Sequence, residues 1–457
     1  MTARELTRRD FLVRSGGVAT AATTGVLGLA ASRATAQSSE RPPNVVLIMM
    51  DDLGYGDLGC YGSEMIRTPN VDRLASGGAR FTQAYSGAPV CTPSRVALLT
   101  GRYGARVGLP RVLSPADPGG LPAGERTIAE YLRAAGYATG IFGKWHLGSR
   151  REYNPTRHGF DRFFGALHSN DMRPFELWRN ERVVEREVDQ SLLTRRYTEA
   201  ATRFIRSSSR PFFVYLPHTM PHIPLHTEAR FRGVSEAGPY GDVVESVDHY
   251  VGELVGFLED EGLAEDTLVL LTSDNGPWFS GSTGGLRGRK AETYEGGMRV
   301  PLVAHWPAEI PSGVTREQPV SSVDLLPTLC SVANVEPDPE AELDGRDVSG
   351  ALRSGEDLEP APIYFFSDER LNAVRRGDWK LHVRRSPFGG YDAEKEVPEL
   401  FDLRRDPAES YNLAERHPEL VDELREVIED FGPVRVEEGT YAPEKVPDSW
   451  EWWPPWS

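Results

Sequence analysis

A chain of 457 residues, 39% hydrophobic and 26% charged, has the makeup of a globular protein with one large core, or one large and one smaller. Its formal net charge of −17 (about −20 without residues 1–36, which hold five basic and two acidic residues) argues against nucleic acid, whose phosphates need a basic surface. A small anionic substrate is not excluded, because a few local cations override a global field; three cysteines, Cys60, Cys91 and Cys330, with no C-x-x-C pair, suggest neither a disulfide framework nor a zinc site.

Thr7-Arg8-Arg9-Asp10-Phe11-Leu12-Val13 resembles a twin-arginine export signal, with a weakly apolar stretch over 16–31 and a small-residue cleavage pattern at Ala34-Thr35-Ala36. That stretch is short and rich in Gly, Ala and Thr, which is poor for spanning a bilayer. No later run is apolar enough to form a stable membrane span. Residues 1–36 therefore read as a signal peptide, and an exported protein, periplasmic or extracellular, is expected, with the twin-arginine machinery as a partner.

After a short polar linker, residues 44–50 (NVVLIMM) form a continuous apolar run, the mark of a strand buried on both faces. Thr68-Pro69 predicts a helix start with a capping Thr, ending at Gly77-Gly78. Thr127 and Glu130 form a capping box for a helix ending near Gly136, and a strand follows over 137–142. Residues 212–216, 268–271 and 300–304 read as further strands, and the spacing of Val244, Val247, Val251, Leu254, Val255 and Leu258 predicts a helix. The fold class is α/β: a large, mostly parallel or mixed sheet sandwiched by helices. Beyond about residue 345 short strands near 363–366, 373–375 and 379–381, and a helix over 418–431, predict a small C-terminal antiparallel sheet with one helix. The expected division is thus a catalytic domain over 37–345, a small α+β domain over 346–435, and a Trp- and Pro-rich tail over 436–457 that docks on the protein.

Ligands of open α/β sheets bind beyond the carboxyl ends of the strands. Asp51-Asp52 follow the first strand, Lys144 and His146 the run YATGIF, His218 and His222 the run FFVYL, and Asp274-Asn275 the run LVLLT. One such end is an ordinary turn; four with acids, an amide and bases point to a site. The aspartates and the amide are hard oxygen ligands suited to Ca²⁺ or Mg²⁺. Lys144 and His146, two apart, face the same side if the chain there is extended.

Gly54-x-Gly56-x-x-Gly59 follows a strand and mimics a dinucleotide fingerprint, but no amphipathic helix opens at its third glycine. Nor does any G-x-S-x-G elbow follow a strand, which disfavours a Ser-His-Asp hydrolase. Cys91-Thr92-Pro93-Ser94-Arg95 predicts a short helix through Leu99, with Thr92 able to cap it and Gly101 as its stop. Cys91 and Arg95, four apart, share a face of that helix, and a helix N-terminus beside a guanidinium suits an anion.

C-x-P-S-R followed by Leu98-Leu99-Thr100-Gly101-Arg102 resembles the signature of the type I sulfatases of the alkaline phosphatase superfamily. Other pieces agree in order: Asp51-Asp52-Leu53-Gly54, Gly143-Lys144-Trp145-His146-Leu147-Gly148, Pro221-His222, Ser273-Asp274-Asn275-Gly276, Gly288-Arg289-Lys290 before Tyr294-Glu295-Gly296-Gly297, and Glu399-Leu400-Phe401-Asp402-Leu403 near the end. The resemblance implies an alkaline phosphatase-like fold and hydrolysis of organic sulfate monoesters, aryl or carbohydrate. It implies that a maturation enzyme converts Cys91 to formylglycine (3-oxoalanine), whose hydrate attacks sulfur with one hydroxyl and expels sulfate with the other. By the same resemblance Asp51, Asp52, Asp274 and Asn275, with the modified Cys91, hold one Ca²⁺, Mg²⁺ being second choice. Arg95 holds the formylglycine, Lys144 and Lys290 neutralise sulfate oxygens, His146 takes the hydroxyl proton and His222 protonates the leaving oxygen. Ser169 touches the substrate. His222 is a better match than His218.

Two rivals are a phosphate or phosphonate hydrolase of the same superfamily and a non-catalytic sulfated-glycan binder. The first would need further metal ligands than can be placed; the second would leave intact acid–base positions without a purpose. Specificity is expected in loops 109–124, 168–178 and 278–287 and in the C-terminal domain. Arg102, Arg106 and Arg111 read as solvated surface arginines sooner than as a second anion site.

Overall fold

In the computed structural model, which describes residues 42–385 and 396–442 apart from 433, 435, 437 and 438, the strand Asn44–Met50 runs through the centre of the main sheet. Its side chains alternate between two cores: Val45, Leu47 and Met49 join one, Val46, Ile48 and Met50 the other. A strand needs no polar face when both faces are covered, which is why seven apolar residues stand in a row. The helix Cys91–Thr100, with Ile128–Ala134 and Leu325–Val332, covers the first side. Pro69–Ser76, Leu193–Arg206 and Gly238–Asp260 cover the second.

Five neighbouring strands are parallel, in the order Thr267–Ser273, Asn44–Met50, Phe212–Pro217, Ala138–Lys144 and Arg162–Ala166. Beyond Thr267–Ser273 the sheet turns mixed, because Arg299–His305 pairs antiparallel with it and with Ala79–Tyr85. Val314–Arg316 completes that edge, and Leu177–Arg179 with Arg182–Glu185 the other. A second sheet is an antiparallel meander of Ile363–Ser367, Arg370–Arg376, Trp379–Arg384 and Glu396–Asp402. The helix Pro418–Asp430 packs Val421 and Leu424 on its Val374, Leu381 and Leu400. The fold class is as expected: a large mixed sheet sandwiched by helices, and a small antiparallel sheet with one helix. The export signal over 1–36 and the tail beyond 442 lie outside the described residues.

Two expected caps are not formed. Thr68 stands at the N-cap of Pro69–Ser76 without capping it; its hydroxyl instead accepts the Gly59 N–H at 2.8 Å and donates to Asp72. Thr92 lies inside its helix, whose N-cap is Val90, and spends its hydroxyl on two loops described below. The Thr127–Glu130 capping box is present, and Gly101 ends its helix at a left-handed φ of 68°. The Gly54 and Gly56 pair serves close packing: a Cβ at Gly54 would lie 2.1 Å from Ser282 O, and one at Gly56 2.6 Å from Gly284 N. Only a single 3₁₀ turn, Gly59–Tyr61, follows them.

The small sheet meets the main one across buried charges. Lys380 Nζ donates to Glu295 Oε1 and Glu409 Oε1, both at 3.0 Å, and Glu409 Oε2 accepts the Glu295 N–H at 2.6 Å. Burial would raise the Glu295 carboxyl, but Lys380, Arg299 and Arg375 hold it well below the usual range. Since Glu295 follows Lys290 closely, this contact ties the C-terminal sheet to a loop of the site.

Candidate active site

All five parallel strands deliver polar side chains at their carboxyl ends, one strand more than the sequence pattern suggested. The fifth, Arg162–Ala166, leads to His168, Ser169 and Asn170, all buried. Asp51 is the meeting point. Its Oδ1 lies 3.5 Å from Cys91 Sγ and 3.6 Å from Arg95 Nη2, so Cys91 and Arg95 do share a helix face. Its Oδ2 accepts Lys144 Nζ at 2.7 Å. Burial opposes ionisation of Asp51, yet Lys144, His222 and Arg95 outweigh it and hold the carboxyl below its usual range.

Asp52, the next residue, has a left-handed φ of 65°, which turns its carboxylate toward the same centre. Its Oδ2 accepts Lys290 Nζ at 2.8 Å and lies 3.6 Å from His222 Nε2, while Oδ1 accepts Asn275 Nδ2 at 2.7 Å. Asp274 is already engaged: Oδ1 accepts the Asp52 N–H at 3.1 Å, and Oδ2 takes Arg95 Nε and Nη2 at 3.0 and 2.7 Å. Arg95 Nη1 donates to Lys144 O at 3.0 Å. Among the described residues, the buried Asn275 Oδ1 has no hydrogen-bond partner. A buried amide oxygen without a donor is costly unless something electropositive meets it.

Asp51, Asp52, Cys91 and His222 each offer a ligand atom within 4.8 Å of the others. Two carboxylates plus the unpartnered Asn275 oxygen form a hard-oxygen donor set, so the residues present fit a divalent cation of the Ca²⁺ or Mg²⁺ type. Burial pushes the Cys91 thiol well above its ordinary pKa despite Lys144 and Lys290, so the unmodified thiol is a poor nucleophile.

The histidines differ in state. His146 Nε2 lies 2.9 Å from Leu113 O; a carbonyl only accepts, so Nε2 carries the proton and the buried, unpartnered Nδ1 is bare. Burial, then the charge of Lys144, keeps this ring neutral, well below its ordinary pKa. His222 is oriented through Asn170. The Asn170 amide nitrogen faces three oxygens, Pro224 O at 3.0 Å, Gln190 Oε1 at 3.3 Å and His222 O at 3.5 Å. His222 Nδ1–H is then shared between Asn170 Oδ1 at 3.1 Å and Ile223 O at 2.5 Å, which turns Nε2 toward Asp52 and toward Ser169 Oγ at 3.5 Å. Ser169 Oγ also accepts Lys144 Nζ at 3.2 Å. His218 is fully buried, and among the described residues neither of its ring nitrogens has a hydrogen-bond partner; desolvation pushes its pKa down to about 3.

One expected geometry fails. Lys144 and His146 are not two steps of an extended strand, because His146 has a left-handed φ of 62°. Lys144 therefore meets Asp51 while His146 turns to Leu113. Arg102, Arg106 and Arg111 are not merely solvated: they pair with Glu125, Asp344 and Glu369 at 2.7, 2.6 and 2.8 Å. The sequence pattern did not point to Asn170 or to the Leu113 carbonyl. Asn170 stands beside Ser169 and could have been flagged by that; a backbone carbonyl in a loop carries no sequence signal.

Residues 43–335 match the sequence model of the sulfatases, and residues 359–438 that of the C-terminal region of aryl-sulfatase. Human arylsulfatase A is 43% identical over 397 residues, covering 78% of this chain and 77% of that protein. Dog N-acetylgalactosamine-6-sulfatase is 38% identical over 398 residues, covering 79% and 76%. The crystal structure of Ps i-CgsB superposes with a TM-score of 0.79 at 29% identity over 86% of this chain and 93% of that one.

Proposed function

The chain belongs to the sulfatase family and hydrolyses sulfate esters, and from that premise we propose how its own residues divide the work. The observation that carries the reading is the convergence on Cys91 of two aspartates, each bound by a lysine: Lys144 on Asp51 at 2.7 Å and Lys290 on Asp52 at 2.8 Å.

Formylglycine made from Cys91 by a maturation enzyme supplies a hydrated aldehyde, with one hydroxyl for attack and a second for release. A divalent cation, Ca²⁺ in this proposal, held by Asp51, Asp52, Asn275 and the modified Cys91, supplies Lewis-acid polarisation. Asp274 contributes by fixing Arg95 and the Asp52 backbone, and as a further ligand if its Oδ1 is freed. Lys144 and Lys290 place two ammonium groups where sulfate oxygens gather, in a site dry enough for each charge to count. Arg95 orients the group at position 91. His146 holds a bare Nδ1 ready to accept a proton, and His222, held by Asn170, presents Nε2 to the leaving oxygen. Ser169 bridges Lys144 and His222 and contacts the substrate.

The substrate is a sulfated small molecule or glycan. Export through the twin-arginine machinery to the periplasm or beyond follows from the N-terminal sequence, and among the described residues no helix is long and apolar enough to cross a membrane. A catalytic domain over 37–345 would carry the site, with the 346–435 domain bracing its Lys290 loop and the 436–457 tail docking on the protein.

The test is turnover of 4-nitrophenyl sulfate, 4-nitrophenyl phosphate and a panel of sulfated sugars by protein made with and without the maturation enzyme. The Cys91 peptide should lose about 18 Da on conversion, and sulfate-ester activity should track the converted fraction. Full activity with unmodified cysteine, or in Cys91→Ala, would sink this mechanism.

A further inference from the structure

The loop between Gly108 and Leu121 is irregular, yet it carries the carbonyl that sets the His146 tautomer. Leu113 is held on one side by the site itself: its N–H donates to Thr92 Oγ1 at 3.1 Å, and that hydroxyl donates to His146 O at 3.0 Å. The other anchor comes from far along the chain. The Tyr441 hydroxyl accepts the Arg111 N–H at 3.0 Å and donates to the Arg111 carbonyl at 3.2 Å, clamping both backbone groups of one residue. Its ring lies 4.3 Å from the Arg111 guanidinium, which pairs with Glu369 on the turn between the first two strands of the small sheet.

Neighbours of Tyr441 repeat the contact. Thr440 O accepts the Gly119 N–H at 2.9 Å, and the Ala442 N–H donates to Asp117 Oδ1 at 2.7 Å. Asp117 Oδ2 in turn accepts the N–H of Ser114, next to Leu113, at 2.6 Å. Residues 440–442 thus pin the loop at 111, 117 and 119, on both sides of Leu113. The Thr92 hydroxyl fixes the Leu113 N–H from the side of His146, and the contacts of residues 440–442 fix the irregular loop from the other side. Tyr441 lies just past the family's C-terminal match, which ends at 438.

We propose that Tyr441 is a positioning residue for catalysis: it clamps Arg111 so that Leu113 O keeps its hold on His146 Nε2–H and leaves Nδ1 bare. The proposal rests on His146 acting as the base. Loss of the clamp lets Leu113 shift, and the imidazole then samples the other tautomer and other tilts.

Tyr441→Phe keeps the ring over Arg111 and removes only the hydroxyl. Rates are normalised to the fraction of converted Cys91, read by peptide mass. Tyr441→Phe is expected to lower kcat about tenfold, a cost in keeping with sub-ångström misplacement of a reacting group, with KM within about twofold. In a His146→Ala background the same substitution should leave the residual rate within about twofold, because residues acting through one another are not additive. Spectra of ¹⁵N-histidine-labelled protein give a readout independent of turnover. The His146 ring, assigned by its loss in His146→Ala, should show a protonated Nε2 in the wild type and tautomer exchange in Tyr441→Phe. An unchanged kcat, an equal loss in both backgrounds, or an unchanged His146 signal overturns the proposal. If converted wild-type protein turned over no sulfate ester, the functional reading would fail instead, and the ring signal would still decide whether Tyr441 governs His146.

Discussion

Arg95 and Asp274 share one oxygen: Nε and Nη2 of the guanidinium both donate to Asp274 Oδ2, at 3.0 and 2.7 Å, with neither side chain exposed. Their positions in sequence are 179 apart, and the pair closes the helix of Cys91 onto the end of a central strand. Because Nη1 also binds Lys144 O and Nη2 lies 3.6 Å from Asp51 Oδ1, one side chain links three strand ends.

Arg95→Met should therefore cost about 3 to 5 kcal/mol of stability, the usual result of stranding a buried carboxylate. Arg95→Lys should recover part of the stability but not the fork on Oδ2. Urea denaturation of the unconverted proteins measures this apart from catalysis. A loss below about 1 kcal/mol for Arg95→Met would contradict the account.

Chelation should abolish turnover, and Ca²⁺ should restore it better than Mg²⁺ at equal concentration. Asn275→Leu removes a buried oxygen that has no partner among the described residues, and should weaken metal affinity on the order of tenfold or more. Calorimetric titration of metal into the stripped protein checks both. Unaltered affinity in Asn275→Leu would remove that oxygen from the ligand set.

Replacing His222 by Gln should discriminate between leaving groups. An unactivated alkyl or sugar sulfate should lose about a hundredfold or more in kcat/KM, the usual share of a general acid. 4-Nitrophenyl sulfate, whose phenolate leaves without a proton, should lose far less. Equal losses on both substrates would mean that His222 binds rather than protonates. Asn170→Ala should show the same pattern more weakly, since Asn170 only orients the ring.

Away from the site, Asp324 gives a pH-dependent stability. Burial raises its pKa to about 6, even though it accepts the N–H groups of Ser321 and Arg346 at 2.8 and 2.9 Å. A raised folded pKa favours the protonated form, so its stabilising share is full below the unfolded value of 3.8 and is lost as pH rises through about 6. Across that window the wild type should lose about 3 kcal/mol relative to Asp324→Asn, the free-energy equivalent of a carboxyl pKa raised from 3.8 to about 6. Paired denaturation curves at several pH values check the sign; a difference that is flat or grows the other way refutes it.

Much of the candidate site was legible because its residues stand where polar groups are otherwise rare, at the ends of apolar runs. Asp51-Asp52 and Asp274-Asn275 follow strands that are apolar through their middles, and such runs report burial on both faces. The helix of Cys91 was legible from Pro93 and Gly101. Directions of side chains were not. Thr92 has the right chemistry to cap, but the helix already starts at Cys91 with Val90 at its N-cap, and the Thr92 hydroxyl bridges Leu113 and His146 instead. Lys144 and His146 would share a side in an extended chain, but the left-handed turn at His146 separates them.

By itself the sequence determined the central strands and several of the helices, the layered α/β class and the residue types gathered at the strand ends, because periodicity, caps and turns are properties of a few neighbouring residues. Only the tertiary structure decided which oxygen meets which cation, that Arg299–His305 enters the sheet antiparallel, and that Tyr441 closes on Arg111. Those contacts join segments from tens to hundreds of residues apart, and directional bonds of that kind depend on the packing of the whole chain rather than on any local pattern.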